Sequence, residues 1–204
     1  MGALRLRKPD KSLSTNTDIA IVPLPVPELL RISGFETGEP YFGKSGANRF
    51  DAPGCACGAA EYSCCYLGLS FDVALAESLL HDAVPRRGKF GIAKSEIDRR
   101  WVHRFSAHLN LFDLTGHLLI KMGGHAALTG TSSYKISQTW AKAVFDNPLN
   151  VDGFIYVSRH LPNELAVILF DRAASKLIPV GPAIPLAQAP ELVRAITSFS
   201  ISVT

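Results

Sequence analysis

The sequence predicts a single α+β domain, and three observations lead there. Its 204 residues suffice for one hydrophobic core, at about 100 to 200 residues per domain. Segments patterned as strands outnumber those patterned as helices, and their order is mixed, not a regular strand–helix alternation. Apolar residues make up 47% of the chain, enough for a sizeable core, and the charged fraction of 19% is below the roughly 25% usual in soluble domains, which argues against disorder. No internal repeat is visible, so a solenoid drops out.

Taken in order, residues 1–20 read as a polar, weakly ordered, flexible arm and residues 21–204 as the folded domain. PLPVPELLRIS opens that domain, its prolines Pro23, Pro25 and Pro27 imposing extended geometry before an apolar run that carries Arg31. YSCCYLGL, after a Gly-rich turn, is a strand with Tyr66 in its middle. SFDVALAESLLHDAV is a helix with Ser70 as N-cap, Asp72 in the first turn and Pro85 closing the end. LNLFDL, HLLIKM, GFIYVSR and ELAVILFD are further strands, and SQTWAKAVFDN is a second helix capped by Ser137. The outcome is mixed, mostly antiparallel sheets flanked by helices.

Charge and composition narrow the partners. Lys plus Arg number 21 against 18 Asp plus Glu, a net charge of +3, far short of what a protein neutralising many phosphates carries, so nucleic acid is not the expected partner. The basic N-terminus lacks the following apolar stretch of about 7 to 15 residues of a secretory signal. No run approaches the roughly 18 consecutive apolar residues of a membrane span, and the uncharged stretch LIPVGPAIPLAQAP is broken by four prolines. The expectation is a cytoplasmic protein with no membrane partner. Cys55, Cys57, Cys64 and Cys65 crowd into CACGAAEYSCC, which suits neither a disulfide framework nor the C-x₂₋₄-C pairs of structural zinc; adjacent Cys64 and Cys65 in a strand point to opposite faces. Reduced core thiols and no metal are expected. The P-loop, dinucleotide-fold, α/β-hydrolase and zinc-protease signatures are missing. MGGHAALTGTSS reads as a flexible loop, and His81 as a partner of its helix's C-terminal dipole.

A few polar residues stand where the patterns call for apolar ones. Val73, Glu77, Leu80 and Val84 share one helical stripe, with Leu75 and Leu79 on the other flank, so a carboxylate interrupts a helix that is apolar nearly all round. Either a structural salt bridge or a catalytic role explains it. In GFIYVSR, period two puts Phe154, Tyr156 and Ser158 on one face and Ile155, Val157 and Arg159 on the other. Ser158 ends the run, where sites gather, although a backbone hydrogen bond is the plainer use of a serine there. Arg31 and Arg49 stand in the short apolar contexts LLRIS and NRFD, where a guanidinium forks onto a carboxylate or phosphate; pairing with Asp51 is the plainer role for Arg49.

Together LLRIS, NRFD, CYLG, ALAE and YVSR, in that order from Leu29 to Asp171, resemble the RES-domain family, named for an arginine, a glutamate and a serine. On this resemblance Arg31 and Arg49 correspond to the family's two arginines, Tyr66 to its strand tyrosine, Glu77 to its helix glutamate and Ser158 to its serine. The chain departs from the family in APGCACGAAEYSCC, longer than in compact members, and in NRF where members carry GRW or YRF. The resemblance implies a fold similar to ADP-ribosyltransferase toxins and an enzyme that destroys NAD, as the toxin of a bacterial toxin–antitoxin pair. NAD would be substrate, not cofactor. Glu77, Arg49, Ser158 and Tyr66 would be catalytic, and Arg31, Arg49 and Tyr66 would bind substrate. Water or inorganic phosphate would accept the ADP-ribosyl group, a cognate antitoxin would be the protein partner, and a homo-oligomer is compatible. Transfer to a macromolecule by the same residues, or a non-enzymatic binding module with Glu77 and Arg49 as a buried pair, are the alternatives.

Overall fold

The structure, a computed structural model, describes residues 6–17, 21–54, 60–81, 83–131 and 133–204. Its strands are β1 (Ile21–Ser33), β2 (Cys64–Gly68), β3 (Phe90–Ile92), β4 (Trp101–Leu114), β5 (Gly153–Val157), β6 (Leu165–Phe170), β7 (Ile178–Pro179), β8 (Ile184–Pro185) and β9 (Ile201–Val203). Its α-helices are α1 (Phe71–Ser78), α2 (Lys94–Asp98), α3 (Gly116–Lys121), α4 (Ala127–Gly130), α5 (Tyr134–Phe145) and α6 (Leu192–Ser198). The fold is α+β, as the sequence predicts.

The main sheet is seven-stranded, ordered β1-β2-β6-β5-β4-β7 with β8 also on β4. Because β1 pairs with β4 along most of its length and with β2 at Leu30, the ladder β1-β2-β6-β5-β4 returns on itself. All its pairings are antiparallel except β4–β5, and β3 and β9 form a separate parallel pair. Period-two alternation divides the inside. Phe154, Tyr156, Ile168 and Phe170 join Trp140 of α5 in one cluster, while Ile155, Val167 and Leu169 join Phe105 and Leu111 of β4 in another. Phe71, Leu75, Leu79 and Leu80 pack with Leu186 and Leu192 in a third. Cys64 belongs to the first and Cys65 to the second, so adjacent thiols face opposite ways; Cys55 and Cys57 lie outside the described residues.

Four sequence expectations need correction. HLLIKM is not a strand but helix α3, begun by Gly116 at φ 49°, a left-handed conformation that ends β4 abruptly. Helix α5 starts at Tyr134, after Ser133; Ser137 is fully buried in its second turn and donates to the Leu128 carbonyl at 2.8 Å. Helix α1 ends at Ser78, so Val84 lies beyond it and is 80% exposed. The arm over 1–20 is not free along its described part. Residues Lys11–Ser14 form a 3₁₀ turn, Leu13 is fully buried, Trp140 Nε1 donates to the Arg7 carbonyl at 2.9 Å, and Asn147 Nδ2 donates to the Leu13 carbonyl at 2.7 Å. No helix among the described residues is long and apolar enough to cross a membrane.

Candidate active site

Two junctions set the site. At the first, β2 runs into α1 through Gly68, where a Cβ would stand 2.6 Å from the Ala74 nitrogen; only glycine admits the helix so close to the strand. Ser70 caps α1 as expected, accepting from Val73 N at 3.2 Å, and its hydroxyl donates to Glu164 at the start of β6. This fixes the helix on β2 and β6 and puts Glu77 on its last turn. At the second junction β5 ends at Val157, and Ser158 is held by its own N–H on the Glu164 carbonyl at 2.9 Å.

These ends meet at Glu77. Ser158 Oγ donates to Glu77 Oε1 at 2.7 Å and the Arg159 N–H donates to the same oxygen at 3.2 Å, while Oε2 has no hydrogen bond among the described residues. Glu77 is half-buried and Ser158 is 2% exposed. The carboxylate is therefore anchored by one oxygen with the other left available. Of the two readings of Glu77, the structural salt bridge is absent among the described residues.

Arg49, 7% exposed, lies in the loop after the cis Glu39–Pro40 peptide. Asp51 is not its partner. Arg49 Nη1 donates to the Thr131 carbonyl at 2.7 Å, its guanidinium lies 4.7 Å from the centre of the Tyr134 ring, and its buried Nη2 has no partner among the described residues. MGGHAALTGTSS is thus not a plain loop, since it contains α4 and supplies the carbonyl that orients Arg49. Burial lowers the Arg49 pKa, Arg159 repels its charge further, and Tyr134, Tyr156 and Glu77 act the other way.

Asp51 accepts instead from Ser45 Oγ at 2.9 Å, Asn48 N at 3.2 Å and Tyr66 OH at 3.2 Å. The Tyr66 hydroxyl in turn accepts from Phe50 N at 3.0 Å, so Tyr66 ties the two residues after Arg49 to β2. Burial raises the Tyr66 pKa well above the usual tyrosine value, and the group is neutral. Arg31 on β1 donates through Nε to Glu39 Oε2 at 2.5 Å and through Nη1 to the Tyr66 carbonyl at 3.1 Å. The Glu39 side chain is 1% exposed, so its charge is matched to Arg31 away from water.

A cavity of about 460 Å³, in the size range of small-molecule sites, opens among these groups. Arg31, Arg49, Tyr66 and Glu77 all line it, and Ser158 reaches it through Glu77. A side pocket of about 60 Å³, lined by Leu30, Ile32, Leu67 and Gly68, shares Arg31, Tyr66 and Glu77 with it. Sequence reasoning misses several of its residues. Tyr156 and Arg159 both line it, although alternation puts them on opposite faces of the strand; β5 has ended before Ser158, so the alternation no longer governs Arg159. His81 and Arg100 line it too, His81 standing beyond the end of α1. Glu39 carries no signal except its distance in sequence from Arg31.

A family profile described as the RES domain matches residues 28–189. The chain belongs to the RES-domain family. That span takes in Arg31, Arg49, Tyr66, Glu77 and Ser158, the positions that meet around the cavity. No curated protein matches the chain. Among solved structures, a chain of the M. tuberculosis MbcT–MbcA toxin–antitoxin complex is similar at a TM-score of 0.60 and 13% identity, over 84% of this chain and 91% of that one. At that identity the likeness concerns the fold, and it extends beyond the central sheet to most of the RES domain. Among the described residues no group of His, Cys, Asp or Glu is arranged to hold a metal ion.

Proposed function

We propose that this RES domain cleaves the N-glycosidic bond between nicotinamide and ribose in NAD. The observation that carries the reading is Glu77, held by Ser158 at 2.7 Å with its second oxygen uncommitted among the described residues, in a cavity of about 460 Å³ also lined by Arg49, which has no acidic partner among those residues. Cleavage develops oxocarbenium character on the ribose, and nicotinamide departs neutral, so the reaction asks little of a general acid. It asks for negative charge beside the ribose and positive charge beside the diphosphate. Glu77 meets the first need: Oε2 takes a ribose hydroxyl and the carboxylate stabilises the cation, while Ser158 and the Arg159 N–H keep it from turning away. Arg49 meets the second by a charge-assisted bond. Tyr66 borders the base and positions the Arg49 segment. Arg31 shapes the wall between them, its charge matched by Glu39.

The acceptor is water or inorganic phosphate. A protein that destroys NAD harms its own cell, so an antitoxin partner and a cytoplasmic site of action accompany this reading, which the RES family and the toxin–antitoxin structure it resembles both favour. The test incubates the purified protein with NAD, with and without phosphate, and identifies products by chromatography and mass. Free nicotinamide with ADP-ribose or its 1-phosphate is expected. Label transferred from NAD to protein or nucleic acid would replace the reading with ADP-ribosyl transfer, and intact NAD at high enzyme concentration would end it.

A further inference from the structure

Four arginines line the cavity, and they divide into two kinds. Arg31 is paired with Glu39 and Arg100 with Glu96, at 2.5 and 2.6 Å. Arg49 and Arg159 have no acidic partner among the described residues. The Arg49 Nη2 is buried and unpartnered, and Arg159 is exposed, engaged through its main-chain N–H on Glu77. The two are close enough that the charge of Arg159 acts against that of Arg49. Two like charges facing one cavity repel; Glu77 in the same cavity acts on Arg49 the other way but less strongly than Arg159, and an anion bridging the two arginines removes the repulsion.

We propose that Arg159 is a substrate-binding residue that, with Arg49, takes the diphosphate of the dinucleotide, and that this pair, not Arg31, supplies the site's free positive charge. The proposal rests on the NAD-cleaving function above and adds a residue to it. The chain order supports it. Ser158 and the Arg159 N–H hold the carboxylate that faces the ribose, and the Arg159 side chain leaves the same turn toward the cavity. In the substrate the diphosphate likewise follows the ribose directly. One turn thus addresses neighbouring groups of one ligand. The diphosphate keeps its charge through the reaction, so Arg159 binds ground state and transition state alike and acts on KM.

The test measures NAD turnover and, by calorimetry, ADP-ribose binding for the wild type, Arg159→Gln and Arg159→Lys. Arg159→Gln is expected to raise the KM for NAD and the Kd for ADP-ribose by at least about tenfold with kcat within about threefold, and lysine, which keeps charge but not the fork, to recover part of the loss. A wild type that consumes NAD beside an Arg159→Gln protein with unchanged KM and Kd overturns the assignment and leaves the function standing. A fall in kcat at constant KM also overturns it, because Arg159 would then act through Glu77. A wild type that neither binds ADP-ribose nor consumes NAD overturns both readings.

Discussion

On the cavity wall built by β1 and the loop that follows it, Arg31 places its Nε on a carboxylate whose side chain is 1% exposed. On the wall built by residues 48–51, α4 and α5, Arg49 is 7% exposed and meets a carbonyl and an aromatic face, with Nη2 left unpartnered among the described residues. Both arginines interrupt apolar sequence, and both line the same space. The difference is in what satisfies the charge. The first wall has its charge balanced and serves as scaffold, although Glu39 Oε1 is buried without a hydrogen bond among the described residues, whereas the second keeps a positive charge with no acid paired to it there until an anion arrives. An arginine in an apolar context is therefore assigned by its acid, and that acid need not be near it in sequence.

The sharpest way to break this contrast is through stability. Glu39→Ala strands the Arg31 guanidinium against a mostly dry wall and is expected to cost about 3 kcal/mol, the lower end for breaking a buried pair because Arg31 is 19% exposed. Arg49→Met removes a charge that has no acid partner among the described residues and is expected to change stability by no more than about 1 kcal/mol. Urea unfolding of both variants checks the pair; equal losses would erase the distinction between the walls.

Activity gives the mirror image. Glu77→Gln is expected to lower NAD turnover at least about a hundredfold with the melting temperature nearly unchanged, as removal of a key electrostatic group does. Near wild-type turnover in a folded variant would remove Glu77 from the chemistry. Arg49→Lys is expected to lose at least about tenfold in kcat/KM, since an ammonium cannot reach both Thr131 and an anion in the guanidinium's plane. Steady-state kinetics of that variant, if unaltered, would make the second wall scaffold as well.

What the sequence discloses divides along the same line. Features written in local pattern are legible: the Ser70 cap, the alternation of β5 and β6 and the glutamate interrupting α1 all stand where the residues place them. So is the convergence of Arg31, Arg49, Tyr66 and Glu77, because the order of their tetrapeptides carries it. What depends on contacts distant in sequence is not legible. HLLIKM is too short for its apolar run to distinguish a strand from a turn of helix. The N-terminal segment looks polar, but Trp140 holds its Arg7 carbonyl and Asn147 holds its 3₁₀ turn at Leu13, both from more than a hundred positions away. Asp51 is Arg49's neighbour in sequence and Tyr66's partner in space.

The smallest expected effect concerns pH, at the turn that anchors Glu77. His160 follows Arg159 directly, its Nε2 is buried without a partner among the described residues, and its ring stands against the His81 backbone. Burial lowers its pKa and the charge of Arg159 adds to this, opposed by Glu77 and by the His81 contact. The unfolded chain therefore binds a proton here more readily than the folded one. Stability contributed by neutral His160 is complete above the unfolded value of about 6.5 and declines as pH falls from there toward the lower folded value. His160→Asn removes that dependence and nothing from the carboxylate's hydrogen bonds. Denaturant midpoints between about pH 5 and 8 are expected to fall more steeply toward acid for the wild type than for the variant. Parallel profiles would show that the proton finds His160 equally well in both states, and would detach this turn's stability from its histidine.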